Sequence, residues 1–420
     1  MSVRSFAILP VIALASWSLA WAQDPNAALP ERLTLPILLR LVAERSPRLA
    51  VEQVAIDSAE AERITAGARP NPTVSYGRFT ASGGAGTLLE GNRQQQTTTL
   101  DLPLLIGGQR GARIEAAEQG MLAARARVGL AGNELALRAA DLFVGLQAAQ
   151  EKAAMLEESV AEIERVATIV SGRLQSGAAS RYELTRVEVE LAGVNARLAG
   201  ARAELAEKSA GLASLLGAPG WRPTAIGTAA PAGLSNSPTE WRESLMLRNP
   251  QIVAARREEE FAQAALKRSE RERWPVPVLS VGRTGTGDLI GSANFVGLST
   301  EIPLSDAWRG LMAKAAADLR AAQRRREAIE SEADVELRRL VDALAQRRAA
   351  LDRFQRNVGE RIPALKQMAE DAYRLGRGSL LELIDAARSR LDARLTEVDL
   401  RAATVGQELQ ILGLTGKLGG

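Results

Sequence analysis

The sequence predicts a mainly α-helical chain with a membrane β-barrel part, laid out as a tandem duplication of a helix–strand–strand–helix–helix plan. Three observations carry this. The same landmarks recur in the same order about 200 residues apart. Two polar–apolar stretches of about 67 residues each carry helical periodicity. Four short segments alternate apolar and polar side chains, as strands with two unlike faces do.

Residues 1–22 precede the fold as a predicted signal peptide. Arg4 gives a positive start, Phe6 to Ala15 is a short apolar run, and Ala20-Trp21-Ala22 is the small-x-small pattern of a cleavage site, so the mature chain is expected to begin at Gln23. The run is broken by Pro10 and falls short of the ~20 residues a spanning helix needs.

The first copy is predicted over 23–216 and the second over 241–420. The connector at 217–240 contains Pro219, Pro223, Pro231 and Pro238. In the first copy Ser46-Pro47-Arg48-Leu49-Ala50 opens a helix that ends at Arg69-Pro70-Asn71-Pro72. In the second, Asn249-Pro250-Gln251-Ile252-Val253 opens one that ends at Arg273-Trp274-Pro275. Strands are predicted at about 72–80 and 95–104, then at about 276–284 and 294–304. The Gly-rich stretches at 82–86 and 282–287 read as hairpin loops, because they lack the strand-then-helix setting of a phosphate cradle.

Long helices follow at about 107–173 and 306–374, with return helices at about 180–216 and 379–415. Sixty-seven helical residues span roughly 100 Å, far beyond the ordinary length of about 11–12 residues. Leu184, Val187, Leu191, Val194, Leu198, Ala201 and Leu205 step by three and four, the coiled-coil period. Leu337, Leu340, Leu344, Leu351, Phe354 and Val358 form a second seam. Pro363 is expected to bend its helix or shift its packing.

Composition narrows the function. The chain has no Cys and no His. Disulfides, thiolate metal sites and a lipidated Cys are thereby excluded, and the commonest general base is missing. No nucleophile elbow, phosphate loop or metal motif is found, so no enzyme activity, cofactor or metal ligand is expected. Lys and Arg number 53 against 50 Asp and Glu. Runs such as Arg324-Arg325-Arg326 alternate with Glu327, Glu330 and Glu332, which describes solvated helix faces and not a nucleic-acid surface.

Four strands cannot close a membrane barrel. Two chains give eight, whose interior side chains fill. Three give twelve and leave a lumen, so a homotrimer is expected.

The duplicated plan is joined by the proline-marked strand ends Asn71-Pro72, Leu102-Pro103-Leu104 and Ile302-Pro303-Leu304, and by tip motifs ending at Gly177 and Gly378. With these, nearly the whole mature chain resembles the TolC-type outer-membrane factors. It looks most like the branch serving heavy-metal and multidrug exporters of the resistance-nodulation-division (RND) type. The resemblance implies a trimeric twelve-strand barrel in outer-membrane lipid, continued by a twelve-helix periplasmic tunnel. It implies a passive exit duct for small molecules or metal ions, fed by an inner-membrane pump, of RND type, through a periplasmic adaptor (membrane fusion protein).

Site residues follow from the same resemblance. Tyr373 and Glu183 fall on the tunnel-closing positions. Gly378 stands where the family has an arginine, for which Arg374 or Arg377 would substitute. Glu382 and Asp385 match the pore's acidic ring. Being three apart they share a helix face, with Leu380, Leu381, Leu383 and Ile384 expected on the packed side. The adaptor-docking tips are Arg173, Leu174, Ser176 and Gly177, and Arg374, Leu375, Gly378 and Ser379. Two alternatives stay open: a periplasmic adaptor, which usually lacks the two-copy plan, and an outer-membrane channel for type I protein secretion.

Overall fold

A computed structural model describes residues 29–80, 92–229, 237–287, 291–301, 307–359, 361–375 and 377–418. The signal segment, the expected start at Gln23, the Gly-rich loop at 82–86 and Ile302-Pro303-Leu304 lie outside the described residues. Among the described residues no helix is long and apolar enough to cross a membrane.

The chain begins with a two-residue strand β1 (Arg32–Leu33), then α1 (Leu35–Arg45) and α2 (Pro47–Gly67). Strands β2 (Thr73–Thr80) and β3 (Asn92–Pro103) lead into α3 (Gln109–Gln175) and α4 (Arg181–Leu215). After β4 (Thr224–Ala225), the order repeats as α5 (Pro238–Arg248), α6 (Pro250–Glu272), β5 (Val278–Gly287), β6 (Ser292–Ser299), α7 (Ala307–Phe354), α8 (Ile362–Arg374) and α9 (Leu380–Leu414). Pro47 and Pro250 open α2 and α6. That position needs no backbone N–H and favours proline's fixed φ. Asn249 caps α6 by accepting from the Ile252 N–H at 2.9 Å, and its Nδ2 donates to the Leu414 carbonyl at 2.8 Å. One side chain thus starts a helix and ties it to the end of α9.

The two copies differ in their long helices. α3 runs 67 residues without a break. The helix expected over 306–374 is instead α7, of 48 residues, a π-helical segment Gln355–Gly359, and then α8. Pro363 falls in the first turn of α8, where a missing N–H costs nothing, and the π-helical segment lies just before that start.

Three apolar clusters hold the helices. Phe143 and Leu146 of α3 meet Leu33, Leu38, Val42, Leu212 and Leu409 in the central one. There the connector is not featureless. β4 pairs in parallel with β1, Thr224 with Arg32 and Ala225 with Leu33, and Trp221 Nε1 donates to the Pro30 carbonyl at 3.1 Å. A second cluster runs along α3, α4 and α9, with Leu156, Ile163, Val170, Val187, Val194 and Leu391. A third joins Trp241, Leu245 and Ile252 to Leu337, Leu340, Leu344 and Ile411. Of the predicted seam in α4, Val187, Val194, Leu198 and Ala201 are fully packed.

The four long strands form one antiparallel sheet in the order β2-β3-β5-β6. The β3–β5 ladder joins the two copies, from Asn92 opposite Gly287 to Pro103 opposite Val278. Alternation sorts the side chains onto two faces. One carries Ser75, Thr97, Thr99, Asp101, Ser280 and Thr284. On it Ser280 Oγ donates to Asp101 at 2.5 Å, and the hydroxyls of Thr97 and Thr284 lie 3.2 Å apart. The other carries Val74, Tyr76, Leu100, Val281, Val296 and Leu298, all well exposed, Val296 at 75%. Gly282 faces the hydroxyl side because nothing larger fits: a Cβ there would run into the Phe295 ring and the Thr98 carbonyl.

Candidate functional site

The candidate residues gather at the two helix-hairpin tips, at the end of α3 away from the sheet. Each tip is built by the same local rules. At the first, the Gly177 N–H donates to the Leu174 carbonyl at 3.0 Å and the Ala178 N–H to the Arg173 carbonyl at 2.7 Å. This double closure of a helix end needs a residue at positive φ, and Gly177 has φ 73°. The Ser176 hydroxyl donates to the same Arg173 carbonyl at 3.0 Å. At the second tip the N–H groups of Arg377 and Gly378 both donate to the Ala372 carbonyl at 2.9 Å.

Each return helix starts with a capping box. The Glu183 N–H donates to Ser180 Oγ at 3.2 Å, while the Ser180 N–H donates to the Glu183 carboxylate at 2.7 Å. In α9, Glu382 N–H donates to Ser379 Oγ at 3.2 Å and Ser379 N–H to the Glu382 carboxylate at 3.1 Å. Glu183, expected in the tunnel-closing network, turns back on its own helix start. Glu382 does the same. Glu382 remains exposed and Glu183 half-buried, each beside a helix N-terminus that favours negative charge.

The tips meet through a residue expected only to dock a partner. The Arg173 guanidinium lies over the Tyr373 ring, 5.4 Å from its centroid. Tyr373 itself packs against the cluster that contains Leu380 and Ile384. Arg374 spends its charge locally, donating to Asp371 at 2.8 Å. Arg377 and Leu375 are exposed.

Asp385 is exposed on the same side of α9 as Glu382. The packed side differs from expectation at one position. Leu380 and Ile384 are buried and Leu383 is half-buried, but Leu381 is 51% exposed. A helical step of about 100° per residue puts Leu381 beside the acids and away from Leu380.

Charge pairs brace the tips from behind. Arg390 donates to Glu158 at 2.8 Å, as does Arg394. Lys366 of α8 lies 3.2 Å from Glu162 of α3. The Arg394 hydrogen bond, against the opposing effect of burial, holds the Glu158 carboxyl below its usual range. Arg388 pairs with Glu190, chiefly through hydrogen bonding, which raises its pKa; Asp392 and Asp385 add to the rise. This α3–α8–α9 bracing has no local sequence signal, since its partners lie more than two hundred residues apart. The capping boxes did have one: Ser-x-x-Glu stands at 180–183 and again at 379–382.

The profile of the outer membrane efflux protein family matches residues 38–218. The cobalt-zinc-cadmium resistance protein CzcC of Cupriavidus metallidurans is 26% identical over 86% of this chain and 85% of its own length. The nickel and cobalt resistance protein CnrC of the same organism is 30% identical over 79% and 78%. Among solved structures, the transmembrane channel CusC has a TM-score of 0.74 at 20% identity, covering 91% of this chain and 92% of that one. VceC of Vibrio cholerae has the same TM-score and identity, covering 91% and 96%. The structural matches establish the fold, and the 30% identical relative, aligned over more than three quarters of both chains, establishes kinship: the chain belongs to the outer membrane efflux protein family, as an outer-membrane efflux channel.

Proposed function

We propose that three copies of this chain form the passive exit duct of a tripartite pump, with a twelve-strand barrel in outer-membrane lipid and a twelve-helix periplasmic tunnel. The observation that carries this reading is the sheet. It ends in β2 on one side and β6 on the other, two edges that call for partners. Its faces are sorted into exposed apolar and hydroxyl-bearing, which suits lipid on one side and water on the other. A cysteine in β2 and another in β6 test it cleanly, since the chain has none of its own. Oxidation should yield cross-linked trimers, and the detergent-solubilised particle, corrected for bound detergent, should have about three times the mass of the mature chain. A monomer that conducts ions in a bilayer would sink the reading.

An inner-membrane pump of the RND type supplies the energy, and a periplasmic adaptor docks at the tips. The cargo is divalent transition-metal ions, the class in the names of CzcC and CnrC. The duct passes such ions without holding them, because it offers no His or Cys ligand.

Docking has a specific test. Ser379 caps α9, so replacing it would damage the helix start as well as the surface. Ser176 is exposed and follows the last turn of α3. Ser176→Trp should abolish metal resistance while leaving export and oligomer intact. Normal resistance in that strain would remove the tip from the docking surface.

Glu382 and Asp385 are the proposed acidic constriction, six carboxylates in a trimer. Glu382→Gln preserves the capping box, which accepts Gln as well as Glu. Combined with Asp385→Asn it removes the charge without removing the helix start. The double variant should lose most of its cation preference in bilayer recordings. Wild-type selectivity would reduce both acids to helix-start stabilisers.

A further inference from the structure

We infer that Arg78 and Arg283 form a phosphate-binding pair for a bisphosphorylated glycolipid, the lipid A part of lipopolysaccharide in the outer leaflet. The inference rests on the proposed reading of the sheet as part of a lipid-facing barrel, and adds a ligand to it.

Both arginines are exposed and lie on the apolar face of the sheet. The apolar residues of that face cluster toward the helices: Val74, Leu100, Val281 and Leu298. The arginines sit on the other side of this band, toward the hairpin loops. Arg283 is level with Thr98 and Asn294, and Arg78 with Gln96.

Each guanidinium is held in place by a neutral group on the same face. Arg78 Nη2 donates to Gln94 Oε1 at 2.5 Å, and Arg283 Nη2 donates to Ser292 Oγ at 2.7 Å. Among the described residues neither pairs with a carboxylate, and their neighbours in the ladder on that face are neutral. Among the described residues the rim therefore carries these two positive charges with no carboxylate partner. At the margin of a low-dielectric phase an unpaired charge is costly, and an external anion offsets it. A guanidinium presents a planar fork that matches phosphate in bidentate fashion.

Spacing and surroundings select the kind of anion. The two arginines are two strands and two residues apart in the ladder, so their Cα atoms lie roughly 12 Å apart. One headgroup with two phosphates spans them. A free phosphate would gain nothing from the apolar band below, whereas a lipid covers the band with its acyl chains while its phosphates meet the arginines.

The test uses the full-length trimer in mild detergent and native mass spectrometry. The probes are bisphosphoryl lipid A, monophosphoryl lipid A and inorganic phosphate. The wild type should retain bisphosphoryl lipid A, bind the monophosphoryl form more weakly and ignore inorganic phosphate at equal concentration. Arg78→Gln with Arg283→Gln should weaken lipid A binding by about tenfold or more. Unchanged binding by this variant, or equal binding of inorganic phosphate, overturns the proposal. If the Gln variant fails to assemble, Arg78→Lys with Arg283→Lys replaces it. That pair keeps charge but loses the fork, so a severalfold loss is expected and no loss overturns the proposal. A carbonate wash of membranes separates the two levels. Release of the wild type would overturn the barrel reading and this one with it, while firm retention with unaltered lipid A binding would overturn only the phosphate pair.

Discussion

Replacing Arg173 by Gln is expected to open the periplasmic end of the duct. Its guanidinium over Tyr373 is a cross-link between the two helix hairpins of one chain. An exposed cation–π contact contributes about 0.5–1 kcal/mol. Three such contacts broken together in a trimer amount to roughly 1.5–3 kcal/mol. At about 1.4 kcal/mol per decade, the open-to-closed ratio should rise roughly ten- to hundredfold. Gln keeps a long polar side chain and leaves the helix end intact, since the Arg173 carbonyl, not its side chain, accepts from Ala178 and Ser176. Single-channel recordings should show larger or longer openings, and cells should become sensitive to bulky antibiotics. An unchanged conductance would mean that the contact braces the tip without closing it.

Phe143→Ala is expected to have the largest effect on stability. The ring is 0% exposed, at the point where α3 meets α1, α4 and α9. Emptying such a site costs about 3–5 kcal/mol, because the surrounding backbone collapses only partly into the space. Export and assembly should fall several-fold, read as trimer in the outer-membrane fraction and as resistance to protease. Phe143→Leu, which keeps most of the volume, should be far milder. Equal losses from both would place the cost in the ring's shape and not in the cavity.

Much of this architecture was legible in the sequence because it rests on local rules. Pro47 and Pro250 mark helix starts by their missing N–H groups. Alternation in Thr99–Leu104 and in Val296–Ser299 marks strands by period, and Gly177 marks a helix end by its φ. The π-helical segment was not legible. The seam Leu344, Leu351, Phe354, Val358 keeps its spacing straight through it, so apolar periodicity gives no sign of the wider turn. Leu381 was misassigned because its neighbours are all apolar; the angular step of the helix, and not composition, turns it to the wet side. At the tips the resemblance offered Glu183 for the closing network and Glu382 for the acidic ring, while their Ser-x-x-Glu spacing already described helix caps. The Arg173–Tyr373 contact lies beyond local reading, since it joins residues two hundred positions apart.

The π-helical segment has a bearing on how this protein can change in length. One π turn is equivalent to a single residue slipped into an α-helix while the flanks keep their rotation. In α3 no such slack exists. Losing one residue midway would rotate everything beyond it by about 100°, carrying Leu156, Ile163 and Val170 off the face they now bury. The second copy can shed or gain a residue between Gln355 and Gly359 and still present the same sides of α7 and α8 to their neighbours. Insertions and deletions among homologous chains should therefore collect in this half of the duplication, leaving the first as the fixed ruler against which tunnel length is kept.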